Sequence, residues 1–80
     1  MVDILTQIES IFQDVLDNPR LGLTRESNTS NVKGWDSLAH MNLILAIEQQ
    51  FGVSFSLREL GELKDVGGMV DLVEQKLAKR

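Results

Sequence analysis

The sequence predicts an all-α fold, a small bundle of three main helices plus one short helix, with a long first loop. Three observations predict it. Apolar residues recur at three-and-four spacing in three separate stretches, the period of a helix with one buried face. Each of those stretches starts at an aspartate suited to capping: Asp3, Asp36 and Asp65. The alternation of Val53 and Phe55 with Gly52 and Ser54 suffices only for a short extended link.

The first helix is built on Ile4, Leu5, Ile8, Ile11, Phe12, Val15 and Leu16, with Asp3 as its cap. It stops before Pro19, since proline disfavours helical geometry at Asn18 and lacks the N–H that would continue the ladder. Residues 18–35 then carry Pro19, Gly22, Gly34 and the polar run Arg25-Glu26-Ser27-Asn28-Thr29-Ser30-Asn31, with Leu21, Leu23 and Val32 as anchors. A loop that long is tolerable in a compact domain where it crosses the bundle and serves function.

The second helix runs from Ser37 to Phe51 and holds Leu38, Met41, Leu43, Ile44, Leu45, Ala46, Ile47 and Phe51. These are too many for one narrow stripe, so the helix is buried on more than one side or shows apolar surface to a visitor. Gly52 ends it in the left-handed conformation. Ser56-Leu57-Arg58-Glu59 has the capping-box pattern, but Gly61 limits the helix it opens to a turn or two. Asp65 caps a last helix with Val66, Met69, Val70, Val73 and Leu77 inward, while Lys76, Lys79 and Arg80 complement its negative end. Gly67 and Gly68 in its first turn each weaken it by roughly 1 kcal/mol relative to alanine.

Eighty residues fit one domain, 1–80, with room for a bundle and not for an enzyme cleft. Apolar content of 42% with 25% charged residues argues against disorder. A net charge of −4 repels nucleic acid and anionic lipid, so proteins with basic patches are the expected partners. Without cysteine there is no disulfide, thiolate metal site or thiol nucleophile, and any thioester chemistry needs a sulfur from outside. Asp3, Gln7, Glu9 and Ser10 interrupt the N-terminal apolar positions, which excludes a signal core or membrane span there and leaves the cytoplasm as the expected compartment.

Gly34-Trp35-Asp36-Ser37-Leu38 is the segment that carries chemistry. With Asp36 at the N-cap, its carboxylate accepts from the N–H of Leu38 or Ala39, and Ser37 becomes the first helical residue, pointing outward. The positive end of the helix dipole then favours a phosphate placed on that hydroxyl. Trp35 occupies the position of a hydrophobic-staple partner for His40.

The run GWDSLAHMNLI, leading into an apolar helix that ends in Phe51-Gly52, resembles the phosphopantetheine attachment region of acyl carrier proteins, with Asp-Ser-Leu opening the second helix. The resemblance extends from Ile4 to Leu77. It implies a carrier, not an enzyme, that holds acyl, aminoacyl or polyketide intermediates as thioesters on a 4′-phosphopantetheine arm attached to Ser37. On that reading Ser37 attacks the pyrophosphate of coenzyme A inside a phosphopantetheinyl transferase, which provides magnesium and the base, and Asp36 caps the helix beside the attachment site. An acyl-loading ligase or acyltransferase and downstream synthase enzymes are the further implied partners, and the chain is expected to act as a monomer. Leu38, Met41, His40 and Glu48 are the candidate partner contacts. As ordinary residues, Leu38 is favoured as core and Met41 divides evenly between core and surface.

In one respect the chain departs from the pattern. Carriers of fatty acid synthesis display acids along the second helix, whereas here Ala39, Asn42, Gln49 and Gln50 leave only Glu48 after Asp36. Weaker electrostatic steering implies a specialised carrier with dedicated partners. Val53, Phe55, Leu60, Leu63 and Met69 are placed to line a cargo pocket, but the core needs them.

Two other classes compete. An unmodified helical adaptor would bind protein through the exposed apolar part of the second helix, but leaves Asp36-Ser37-Leu38 at its start unexplained. A small serine hydrolase would pair Ser37 with His40, three residues on, yet needs an oxyanion site, an orienting group and a dry pocket that a chain this size offers little to build.

Overall fold

The computed structural model describes residues 3–63 and 65–78, the side chain of Glu62 excepted. Four helices succeed one another: α1 (Ile4–Val15), α2 (Ser37–Phe51), α3 (Leu57–Glu62) and α4 (Val66–Ala78). Ile8 and Phe12 of α1, Leu43, Ile44, Ile47 and Phe51 of α2, and Val66, Met69, Val70 and Val73 of α4 close one core. Leu63 joins it, and Val53, Phe55 and Leu60 pack on its edge as the core assignment requires. Removing each such side chain from water stabilises the fold by about 1.5–3 kcal/mol.

The helix ends are set by local chemistry. Asp3 accepts from Thr6 N–H at 2.7 Å, Asp65 accepts from Gly68 N–H at 2.7 Å, and both halves of the Ser56–Glu59 capping box are made. α1 closes before Pro19 is reached: Asp17 takes a left-handed φ of 52°, and Asn18 N–H returns to the Gln13 carbonyl at 2.9 Å. This is a Schellman cap with aspartate where glycine is usual. Gly52, at φ 66°, ends α2 in the same way. Lys79 and Arg80, expected to complement the end of α4, lie outside the described residues.

The long loop is tied down at both ends. On the α1 side, Leu23 N–H donates to Glu9 Oε2 at 2.8 Å and Gln13 Nε2 donates to the Leu21 carbonyl at 2.9 Å. On the α4 side, Val66 N–H donates to the Ser27 carbonyl and Gly67 N–H to the Arg25 carbonyl, each at 2.9 Å. An antiparallel bridge joins Asn28 to Asp65, and the Arg25 guanidinium reaches Asp71 at 2.8 Å. Leu23 and Val32 are buried as anchors, and Trp35 joins them. Buried Ser27 has its hydroxyl satisfied by Thr24 N–H at 2.9 Å. The loop therefore delivers Trp35 and Asp36 to the start of α2 in a fixed position.

Candidate functional site

Ser37 is exposed as the first residue of α2, and Asp36 Oδ1 accepts from Ala39 N–H at 2.8 Å. The N–H groups of Ser37 and Leu38 have no carbonyl inside the helix to take them, so the mouth of α2 presents donors and a positive dipole end beside the hydroxyl. An anionic group linked through the Ser37 oxygen fits that surrounding. The chain provides reach and field there, with solvent in front of the hydroxyl.

Trp35 stands behind this mouth, 3% exposed. The Phe12 ring meets it edge-on, centroids 4.8 Å apart and planes at 89°. Its Nε1 donates to His40 Nδ1 at 3.0 Å. The ring planes lie 17° apart with centroids separated by 6.0 Å, the arrangement of an in-plane N–H···N bond. The expected staple between Trp35 and His40 is thus present, with a hydrogen bond at its centre. Burial pushes the His40 imidazole below its ordinary value, toward the neutral form that can accept from Trp35.

A groove of about 490 Å³ opens beside the serine, lined by Thr29, Trp35, Asp36, Ser37, His40 and Leu63. Thr29 and Leu63 reach it from the loop and from the end of α3. Neither is signalled by local sequence, because only the docking of the loop on α4 brings position 29 alongside position 37.

Leu38 corrects the core expectation: it is 74% exposed. At about 100° per residue, Leu38 lies opposite Ile47 on the helix, and Ile47 is fully buried. Met41, 49% exposed, and Leu45, 52% exposed, fall on the same side as Leu38. Together they form an apolar stripe leading away from Ser37. Leu45 escapes a reading by residue type, yet the excess of apolar positions in the helix signals that some must face out. Glu48 is half-buried: its Oε2 accepts from Phe55 N–H at 2.8 Å, tying the link before α3 to α2.

The model of the family described as "Phosphopantetheine attachment site" matches residues 6–73. The chain belongs to the acyl carrier protein family. It is 34% identical over 74 residues to the acyl carrier protein of Coprothermobacter proteolyticus, covering 92% of this chain and 90% of that one. It is 32% identical to acyl carrier protein 3 of Ralstonia nicotianae, covering 96% and 88%. Among solved structures, the holo acyl carrier protein of Geobacter metallireducens superposes with a TM-score of 0.87 at 44% identity, over 94% of this chain and 86% of that one. The function is that of an acyl carrier with covalently attached 4′-phosphopantetheine, and acyl carrier proteins carry rather than catalyse. Such a carrier works with transferase and synthase enzymes. Among the described residues no helix is long and apolar enough to cross a membrane, and no group of three His, Cys, Asp or Glu side chains is placed to hold a metal ion.

Proposed function

We propose that Ser37 is the attachment point of the arm and that residues 1–80 form a single carrier domain acting as a monomer in the cytoplasm. The observation that carries this is the exposed hydroxyl at the first position of α2, beside the Asp36 cap. In the loading reaction the Ser37 oxygen forms a bond to the phosphorus that bears pantetheine. The bond from that phosphorus to the adenosine bisphosphate leaving group breaks, and the serine proton passes to a base of the transferase. Asp36 holds the mouth of α2 open to the new phosphate by keeping the first turn in register. When bound, the group supplies the thiol that the chain lacks, to which cargo is joined as a thioester.

Leu38 and Met41 are the proposed contacts for the transferase, the loading ligase or acyltransferase, and the synthase enzymes, with Glu48 beside Met41 and His40 met from the groove on the other flank of α2. The stripe contains no charge, which supports a specialised carrier with partners that present apolar surface. An unmodified adaptor would use the same stripe and leave Ser37 bare. Intact-mass measurement of protein purified from its native host separates the two: an arm on Ser37, with any cargo visible as additional mass, supports the carrier, and unmodified chain throughout supports the adaptor.

A further inference from the structure

The Trp35–His40 bond fixes more than packing. An indole N–H is a donor only, so the His40 Nδ1 that receives it holds a lone pair, and the imidazole proton of the neutral ring sits on Nε2. Phe12 against the indole leaves Trp35 little freedom to turn away. His40 lies three residues after Ser37, which places the two side chains on one face of α2, about 5–6 Å apart at Cβ. Both line the same groove, whose only charged lining side chain among the described residues, Asp36, is committed to the Ala39 N–H.

We propose that His40, its tautomer set by Trp35, is the positioning residue that donates from Nε2 to the phosphate end of the arm and lays the arm along the groove. The inference rests on Ser37 being the attachment point. A phosphodiester on Ser37 would sit between the N–H groups that open α2 and the Nε2–H, a charge-assisted acceptor with donors on two sides. Beyond the phosphate, the branched dimethyl segment of pantetheine would meet the groove wall to which Trp35 and Leu63, both nearly buried, contribute. A neutral donor holds the anion without the tight ion pair that a lysine or arginine would form, so the arm stays releasable.

Nuclear magnetic resonance on apo protein and on protein loaded from coenzyme A tests this. Loading is expected to raise the His40 titration midpoint by about half a pH unit or more, because a nearby anion favours imidazolium, and to give proximity signals between the pantetheine methyls and the Trp35 ring. His40→Gln, which keeps both an acceptor for Trp35 and a donor, should retain those signals; His40→Leu should lose them. Protein that carries the arm by mass, yet titrates at His40 as the apo form does and shows no methyl–Trp35 proximity, overturns the inference while leaving attachment intact. Protein that takes up no arm overturns the attachment reading itself, and this inference with it.

Discussion

The backbone N–H of Gly67 donates to the Arg25 carbonyl across 2.9 Å, and a Cβ at position 67 would stand 3.0 Å from that same oxygen. The glycine that weakens the first turn of α4 is what lets the loop dock on it. Gly67→Ala would gain about 1 kcal/mol in helix propensity but incur roughly 1–3 kcal/mol of overpacking against a backbone atom held by its own hydrogen bond. A net loss of about 1 kcal/mol is expected in urea unfolding. At Gly68 the nearest atom is the exposed Asp65 Oδ1, at 3.2 Å, which a small side-chain movement relieves. Gly68→Ala should be neutral or stabilising by up to about 1 kcal/mol. Equal losses at both positions would refute the docking explanation.

His40 links stability to pH. Its folded midpoint lies below the ordinary 6.5 because burial disfavours the charged ring. The unfolded chain therefore binds the proton more readily, and stability rises with pH through that interval. The contribution is complete above about 6.5 and is lost as pH falls through the folded midpoint, where protonated Nδ1 no longer accepts from Trp35. The stability difference between apo wild type and His40→Gln, measured in urea, should thus shift in favour of the variant from pH 7.5 to pH 5.5. A difference that does not change with pH removes this role.

The short helix is placed by two ties. Glu48 holds the Phe55 N–H, and Lys76 reaches Glu59 Oε1 at 2.9 Å while its ammonium lies 5.6 Å from the Phe55 ring centroid. Glu48→Ala should cost about 1–2 kcal/mol and accelerate hydrogen exchange at the Phe55 amide by about tenfold or more. Lys76→Ala should cost about 0.5–1 kcal/mol, in keeping with a partly exposed pair. Unchanged exchange at Phe55 in Glu48→Ala would show that the tie is dispensable.

Exposed apolar residues on α2 should matter for partners and little for folding. Leu38→Glu and Met41→Glu are expected to leave urea stability within about 0.5 kcal/mol. Their effect belongs in kcat/KM of the loading transferase, lowered by roughly tenfold or more if the stripe is a contact centre. Because that stripe lacks charge, raising salt from 50 to 500 mM should change wild-type kcat/KM by less than about threefold. Loss of folding in Met41→Glu would make it a core residue instead.

Much of this molecule is legible before any coordinates. Asp3, Asp36, Ser56 and Asp65 announce the helix starts because capping is a local event, and Ile8, Phe12, Ile47 and Val73 announce the core because periodicity is local too. What the sequence hides depends on tertiary placement. Leu38 reads as core by residue type, and its exposure is decided only by which face of α2 meets α1 and the shared core. Gly67 reads as a weakness until Arg25 is found against it. Thr29 enters the groove through the loop's docking on α4, and Glu48, which the sequence offers as a partner contact, also holds the Phe55 N–H.

The Ser37 hydroxyl is proposed as the point where the arm is joined. Intact-mass analysis of the chain after incubation with coenzyme A, magnesium and a broad-specificity phosphopantetheinyl transferase tests it most directly, run beside Ser37→Ala. One phosphopantetheine on the wild type and none on the variant is the predicted result. A wild-type chain that stays unmodified while a control carrier is loaded, or a Ser37→Ala chain that still gains the arm, would contradict it.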